Sequence, residues 1–177
     1  MIDLTGQVAL VTGAARGIGR SVAEAMAEAG AAVVVTDVAR QVEGLTYGTA
    51  SDDDLAATVA AIEAAGGRAI AVHADVRRDA DLKAAVRAAV ETYGRLDHVV
   101  ANAGIASWPE STWQATSEQW ETMIDVVLTG TWRTVKAAVP AILEGGRGGP
   151  IGFVGSTAAV KPLPTIGHYA AAKNGVV

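Results

Sequence analysis

Three polar residues near the end of the sequence have the types and spacing of a proton-transfer site. Tyr169 and Lys173 are four residues apart in GHYAAAKNGVV, so a helix would place them on one face, one turn apart. An isolated phenol, with a pKa of about 10, is a poor base at neutral pH, and a nearby cation stabilises its phenolate. We therefore predict that Tyr169 acts as general base or acid with help from Lys173. Ser156, thirteen residues before Tyr169, would hydrogen-bond a substrate oxygen.

A glycine-rich stretch in the first half, TGAARGIG at residues 12–19, follows an apolar run and opens a helical pattern. Gly13 permits a tight turn, while Gly17 and Gly19 let a pyrophosphate and the helix backbone approach closely. The helix N-terminus then offers free N–H groups to the phosphates. Glycines also occur in purely structural turns, but the position in the first strand-turn-helix unit favours a dinucleotide loop.

Two aspartates follow predicted strands and bear on the choice of cofactor. The carboxylate of Asp37 can accept hydrogen bonds from ribose hydroxyls and would repel a 2′-phosphate, which favours NAD over NADP. Arg16 and Arg40 are nearby cations that weaken this preference. Asp75, followed by Val76, can approach the adenine amino group, although a turn-initiating aspartate explains it nearly as well.

The elements that must position these residues alternate along the chain. Short apolar runs predict strands buried on both faces at 7–12, 31–36, 69–74, 96–101 and 150–155. Apolar residues at three- and four-residue spacing predict helices at 17–29, 52–65, 79–93 and 117–143, with a fifth beginning near Gly167. This alternation is typical of an α/β fold, a doubly wound parallel sheet with helices on both faces, in a single domain over residues 1–177.

The connection before the second helix, ARQVEGLTYGTASDDD, is unusually long for such a unit. Ser51 and the three aspartates after it predict an N-cap and an acidic first turn. A metal site is the weaker interpretation, because no histidine or further carboxylate stands nearby at ligand spacing.

The composition of the 177-residue chain argues against several classes of function. A net charge of −5, with scattered basic residues, argues against nucleic acid or an anionic membrane as partner. There is no cysteine, which excludes disulfides, thiolate catalysis and cysteine zinc sites. The start lacks the pattern of a secretory signal, and no apolar run approaches the roughly 18 residues of a membrane span, so we predict a cytoplasmic protein.

Three motifs together resemble those of the short-chain dehydrogenase/reductase family, along the whole chain. TGAARGIG resembles its cofactor loop, ANAG at 101–104 its NNAG motif, and the Ser156, Tyr169 and Lys173 spacing its catalytic signature. The resemblance implies a Rossmann-like sheet with strand order 3-2-1-4-5 and hydride transfer between a secondary alcohol or ketone and NAD. Lys173 would then also hold the nicotinamide ribose. The implied cofactor-binding residues are Gly13, Ala15, Arg16, Gly17, Ile18, Gly19, Asp37, Val38, Asp75, Val76, Asn102, Ala103, Gly104, Tyr169 and Lys173.

Within the family, the long connection at 39–51 and the stretches VANAGI and LPTIGHYAAAKNGVV are most similar to the mycofactocin-coupled subgroup. That subgroup includes carveol-dehydrogenase-like enzymes, which oxidise alcohols and are thought to retain NAD during turnover. Among the remaining residues, we interpret His73, His98 and His168 as structural, and Trp108 as the tryptophan best placed to contact an apolar substrate.

The sequence departs from the family pattern in two respects. Val127 stands where the family has an asparagine that helps hold a water linking the lysine to solvent, which predicts a slowed proton relay. Family members also extend further, with two more strands, so we expect a C-terminally truncated chain with an exposed fifth strand and doubtful homo-oligomerisation. The alternative to an enzyme is a catalytically silent dinucleotide-binding or interaction module.

Overall fold

The computed structural model describes residues 2–161 and 164–177. Its five strands form one parallel sheet in the order β3-β2-β1-β4-β5, which confirms the predicted architecture and order. The strands are β1 Val8–Thr12, β2 Ala32–Asp37, β3 Arg68–His73, β4 His98–Ala101 and β5 Ile151–Phe153.

Within the described residues, six α-helices connect and follow these strands, and their bounds lie close to the predicted ones. They are α1 Gly17–Glu28, α2 Asp52–Ala64, α3 Asp79–Tyr93, α4 Ser117–Met123, α5 Gly130–Glu144 and α6 Gly167–Val176. The stretch predicted as one helix at 117–143 is divided, because a π-helical turn at Ile124–Thr129 separates α4 from α5. Short 3₁₀ turns occur at Thr112–Gln114 and Thr157–Ala159.

The neighbouring interior strands β1 and β2 are buried on both faces, as their continuous apolar runs predict. Alternate side chains of β1 and β2 enter two cores. One core lies against α1 and α2 and the other against α3 and α5. Many of the helical contributions are alanines, such as Ala23, Ala85 and Ala138, whose small side chains let the helices lie close to the sheet. Burial of this apolar surface is the main favourable term in folding.

The prediction of burial on both faces is wrong for the outer strands β3 and β5. In β3 Ala69 is buried, while Ile70 and Val72 are half-buried. The other three residues, Arg68, Ala71 and His73, are exposed. In β5 the side chain of Phe153 is 48% exposed. An edge strand has a neighbour on one side only, so an apolar run does not by itself guarantee a cover on each face.

The start of α2 has the capping arrangement that the sequence predicts. The Ser51 hydroxyl accepts a hydrogen bond from the Asp54 backbone N–H, and the Asp54 carboxylate accepts one from the Ser51 N–H. This reciprocal pair satisfies two backbone donors at the helix start. Among the described residues, no cluster of histidine and carboxylate side chains could hold a metal ion.

Asp97 fixes the start of β4 to the start of β1, at the sheet edge opposite the glycine loop. Its carboxylate accepts hydrogen bonds from the Val8 N–H at 2.9 Å and from the Arg95 guanidinium, and its own N–H donates to the Val8 carbonyl. Burial raises the pKa of Asp97, but the hydrogen bonds from Arg95 and Val8 outweigh it, so the pKa lies below its ordinary value.

We predict that Asp97→Asn lowers the free energy of unfolding by about 2 kcal/mol at pH 7, since hydrogen bonds to a buried charge are lost. A lowered carboxyl pKa contributes stability above the unfolded value of about 3.9, and this stability is lost as the pH falls below it. The parent should therefore lose more stability between pH 5 and 3 than the variant, as measured by urea unfolding. Asp53→Asn, at an exposed position, is the control and should cost less than about 1 kcal/mol. Equal acid sensitivity of parent and Asp97→Asn would contradict this assignment.

Candidate active site

A cavity of about 460 Å³ lies at the carboxyl edge of the sheet, where β1 and β4 lead into turns that diverge. This is the place where strand order reverses and where open α/β sheets bind ligands. The structure brings most of the predicted site residues to its wall. Those that line it are Gly13, Arg16, Gly17, Ile18, Gly19, Asp37, Val38, Asp75, Val76, Asn102, Ala103, Gly104, Tyr169 and Lys173.

The glycine loop between β1 and α1 leaves no room for side chains at two of its positions. Gly13 has a φ of +65°, and a Cβ there would lie 2.7 Å from the Ala103 Cα. A Cβ on Gly19 would lie 2.1 Å from the Gly13 carbonyl oxygen. Only glycine allows this close approach of turn, helix and neighbouring loop. The result is a backbone-lined wall at the N-terminus of α1, where N–H groups are free to bind an anion.

Hydrogen bonds between Thr12 and Asn102 hold the two turns together. The Thr12 hydroxyl accepts from the N–H groups of Asn102 and Ala103, both at 3.1 Å. The Asn102 side-chain amide donates to the carbonyls of Thr12 at 2.8 Å and Gly13 at 3.0 Å. The sequence interpretation missed Thr12. Its signal was a polar residue ending an otherwise apolar buried strand.

The carboxylate of Asp37 is oriented by backbone donors. It accepts hydrogen bonds from the N–H groups of Ala15 and Ala39, each at 3.2 Å, and it is 9% exposed. Ala15 is buried and does not line the cavity, and its predicted cofactor contact stays a prediction. Asp37 therefore stands at the cavity with its position set by the glycine loop itself.

Asp75 is bound by two arginines. Arg77 donates to both carboxylate oxygens at 2.9 and 2.7 Å, and Arg40 donates to one at 3.0 Å. Burial raises the pKa of Asp75, but the hydrogen bonds from Arg77 outweigh it and the pKa is lowered. Asp75 also accepts from the Arg77 N–H, as a turn-initiating aspartate does. The turn-initiating role of Asp75 is therefore present, while its approach to an adenine amino group stays a prediction for a residue that lines the cavity. Asp75 also compensates the charge of Arg40.

Residues 39–51, here called the strap, fold back on themselves beside the cavity. The Gln41 side-chain amide donates to the carbonyls of Val42 and Tyr47 and accepts from the Thr49 N–H. These bonds replace the regular ladder of a helix or strand in this long connection. Val42, Tyr47, Thr49 and Ala50 line the cavity.

The strap reaches the loop that follows β4 through one tyrosine. The Tyr47 hydroxyl oxygen accepts a hydrogen bond from the Ala106 N–H at 3.0 Å. Its ring packs edge-on against Trp108, with ring centroids 6.2 Å apart. Trp108 lines the cavity and is 68% exposed, so it keeps an open apolar face. The sequence interpretation missed Tyr47, for which the only signal was the length of the connection.

Tyr169 and Lys173 also line the cavity, one turn apart on α6 as predicted. Lys173 is 5% exposed and donates to the Val154 carbonyl at 2.6 Å. Its ammonium lies 5.8 Å from the centre of the Tyr169 ring. Burial lowers the pKa of Lys173 from its ordinary value. The helix thus brings a phenol and a cation together at the wall, where they could exchange a proton with a bound molecule.

Ser156 lies beside this group but does not line the cavity in the structure. Its hydroxyl accepts from the Ala158 N–H at 3.1 Å and caps the 3₁₀ turn that follows. Its neighbours Val154 and Gly155 do line the cavity. The Ser156 hydroxyl hydrogen is not used in this bond, and its contact with a substrate oxygen stays a prediction.

Val127 lies inside the π-helical turn and is 1% exposed. Its side chain packs with Met123 and Ala172, and its carbonyl accepts a hydrogen bond from the Thr131 hydroxyl at 2.7 Å. The irregular turn therefore forms without an asparagine side chain. The Val127 carbonyl, which would hold the relay water, already accepts a hydrogen bond from Thr131. The slowed proton relay stays a prediction, and this bond is consistent with it.

No helix in residues 2–161 and 164–177 is both long and apolar enough to cross a membrane.

Comparison with known proteins agrees with this geometry. The sequence profile described as short chain dehydrogenase matches residues 7–177. The chain belongs to that family. It is 50% identical over its full length to (-)-trans-carveol dehydrogenase of Rhodococcus erythropolis, and 50% identical over 99% of its length to an uncharacterized NAD-dependent oxidoreductase of Mycobacterium tuberculosis. The chain spans 64% of the length of each of these relatives.

Solved structures of short-chain dehydrogenases superpose closely on the chain. Carveol dehydrogenase from Mycobacterium avium in complex with NAD matches with a TM-score of 0.95 and 42% identity, over 99% of this chain and 64% of that one. A short-chain dehydrogenase from Mycobacterium paratuberculosis bound to NAD matches with a TM-score of 0.94 and 43% identity, over 98% of this chain and 64% of that one. The five-stranded sheet is therefore that of the family.

We predict that Gly19→Ala weakens dinucleotide binding, because the added Cβ would meet the Gly13 carbonyl and the Asn102 amide. The dissociation constant for NAD, measured by calorimetry, should rise at least about tenfold, which corresponds to about 1.4 kcal/mol. Gly48→Ala is the matched control, because a Cβ there meets nothing within 4 Å. Unchanged affinity in Gly19→Ala would show that the glycine loop is a structural turn only.

Proposed function

We propose that this chain forms the dinucleotide-binding and catalytic part of an NAD-dependent dehydrogenase that interconverts secondary alcohols and ketones. One observation carries the proposal. The phenol and ammonium of Tyr169 and Lys173 line the same cavity as the glycine loop and Asp37. A dinucleotide bound along this wall would extend from Asp37 to the phenol.

The residues of the wall fit NAD in shape and charge. The glycine loop leaves a backbone-lined concavity at the N-terminus of α1 for the pyrophosphate. Asp37, held by two backbone donors, presents a carboxylate to the adenosine ribose hydroxyls and would repel a 2′-phosphate. The cation of Arg40, which could favour NADP, is already paired with Asp75. These features favour NAD over NADP.

When bound, NAD supplies a nicotinamide ring that accepts hydride from the alcohol carbon. The chain must then take the alcohol proton. Tyr169 is the proposed base, because its phenol lines the cavity and the ammonium of Lys173 lies 5.8 Å from its ring centre. Lys173 is fixed to the Val154 carbonyl and can turn its remaining N–H groups towards the ribose and the phenol. In the reverse direction Tyr169 returns the proton to the substrate oxygen.

The proposed substrate is an apolar secondary alcohol such as carveol. Support comes from the exposed face of Trp108 at the cavity and from the 50% identity to (-)-trans-carveol dehydrogenase. Ser156 would orient the alcohol oxygen by donating its hydroxyl hydrogen, because the bond from the Ala158 N–H uses only an acceptor lone pair of Ser156.

We also propose that the strap helps to retain NAD, as in the mycofactocin-coupled subgroup that the sequence resembles. The strap contacts the cavity at Val42, Tyr47 and Thr49 and is fastened to the opposite loop at Ala106. A cofactor beneath it could leave only after this contact opens. A retained cofactor would have to pass its electrons to a redox partner. The cytoplasmic location of this protein stays a prediction, and so does the homo-oligomerisation of a longer protein that contains this chain.

The decisive experiment compares the parent with Tyr169→Phe. The variant should bind NAD with an affinity within about threefold of the parent, while NADH formation from carveol falls at least about 100-fold, the usual contribution of a general base. Tyr93→Phe is the control, because Tyr93 lies at the end of α3 outside the cavity. A parent that binds NAD without oxidising any secondary alcohol would support a silent binding module instead. A parent that binds no dinucleotide would refute the whole proposal.

Retention of NAD can be tested with Tyr47→Phe, which keeps the ring and removes the acceptor of the Ala106 N–H. Loss of one hydrogen bond of ordinary net strength should speed NADH dissociation about fivefold. Displacement of fluorescent NADH by excess NAD in a stopped-flow instrument measures this rate. An unchanged rate would mean that the strap does not limit release.

A further inference from the structure

His168 is a fully buried histidine for which the proposed reaction has no use. It is 0% exposed, on α6, immediately before Tyr169. Its Nε2 lies 2.6 Å from the Ser107 hydroxyl oxygen. Burial lowers the pKa of His168, which keeps the ring neutral at neutral pH. A neutral imidazole has one N–H donor and one bare nitrogen acceptor.

The surroundings of the ring determine which nitrogen carries the proton. Nδ1 is buried and has no hydrogen-bond partner among the described residues. A proton on Nδ1 would leave a buried N–H without an acceptor, which is rarer and more costly than an unpaired lone pair. The proton is therefore assigned to Nε2, which donates to the Ser107 hydroxyl oxygen. His168 is thus a donor with a single partner.

That partner belongs to the loop after β4, residues 102–111, which forms one side of the cavity. The first part of this loop is fastened to β1, because Thr12 accepts from Asn102 and Ala103. The later part contains Ala106, Ser107 and Trp108, which form no hydrogen bond with Thr12. Ser107 is its link to α6, directly beside the tryptophan that faces the cavity.

A second link between the same elements lies just beyond the loop. Thr112 accepts from the Gly167 N–H at 3.2 Å and donates to the Pro164 carbonyl at 2.5 Å. A Cβ on Gly167 would lie 2.4 Å from the Thr112 methyl carbon. The start of α6 is therefore in close contact with the segment that follows the loop. Of the two links, Ser107 is the one adjacent to the cavity wall.

We propose that His168 is a positioning residue: through its hydrogen bond to Ser107 it fixes Trp108 relative to Tyr169, and so sets the substrate side of the cavity from the helix that carries the phenol. This inference rests on the proposed function. It assigns different anchors to the two halves of one loop. Thr12 holds the half that faces the dinucleotide. The half that faces the alcohol is held to α6 by His168 and to the strap by Tyr47.

The test uses Ser107→Ala and His168→Asn, with Ser111→Ala as matched control. Ser111 lies in the same loop and is buried, but its hydroxyl donates to Gln114 instead of contacting α6. In Ser107→Ala the KM for carveol should rise about fivefold, the loss expected for one hydrogen bond, while kcat and the NAD dissociation constant stay within about twofold. Ser107→Thr, which retains the hydroxyl, should restore the KM. The double variant Ser107→Ala/His168→Asn should raise the KM no more than either single variant, because both substitutions remove the same hydrogen bond.

Hydrogen exchange of the loop, followed by mass spectrometry, gives a readout that needs no turnover. Exchange should speed up over residues 105–111 in Ser107→Ala and His168→Asn, but not in Ser111→Ala. An unchanged KM in Ser107→Ala, or an equal rise in Ser111→Ala, would overturn the proposal. If the parent binds NAD but oxidises no alcohol, the proposed function fails, and unchanged loop exchange would then separately overturn the positioning role.

Discussion

The hydrogen bonds between Thr12 and Asn102 are the constraint on which the site depends. They join the ends of β1 and β4 at the point where the strand order reverses and the following helices diverge to opposite faces of the sheet. The cavity exists because the chain separates there, and it keeps its width because these bonds stop it from opening further. The glycines follow from the same constraint, since Gly13 lies so close to Ala103 that a Cβ has no space. Thr12 is part of an apolar strand for this reason, and not because it packs well.

Much of the architecture could be predicted because its causes are local. Continuous apolar runs and three- to four-residue spacing are properties of the sequence itself, and they indicate where β1 to β5 and most helices lie along the chain. The capping pair of Ser51 and Asp54 is equally local. Tyr169 and Lys173 could be placed together because helical geometry alone decides it. In each case the interacting groups lie within a few residues of one another.

What could not be predicted depends on partners far apart in the chain. The exposure of β3 and β5 follows from their place at the edges, which no single strand encodes. Ala15 does not line the cavity, and its N–H donates to the Asp37 carboxylate, which is 22 residues away in sequence. The contact of Tyr47 with Ala106 spans 59 residues. Asp75 is an intermediate case. The turn that it starts is formed by neighbouring residues, whereas its ion pair with Arg40 joins residues 35 positions apart.

The helix α6 shows how one element can serve several distant contacts. Successive residues leave a helix about 100° apart, so neighbours in sequence face different parts of the protein. Tyr169 faces the cavity, His168 faces the loop after β4, and Lys173, one turn after Tyr169, reaches the end of β5. The buried ammonium of Lys173 and the buried imidazole of His168 are removed from water, and each has a single described hydrogen-bond partner. This desolvation lowers the stability of the fold. A protein retains such groups where position matters more than stability, and here both costs fall on the helix that carries the phenol.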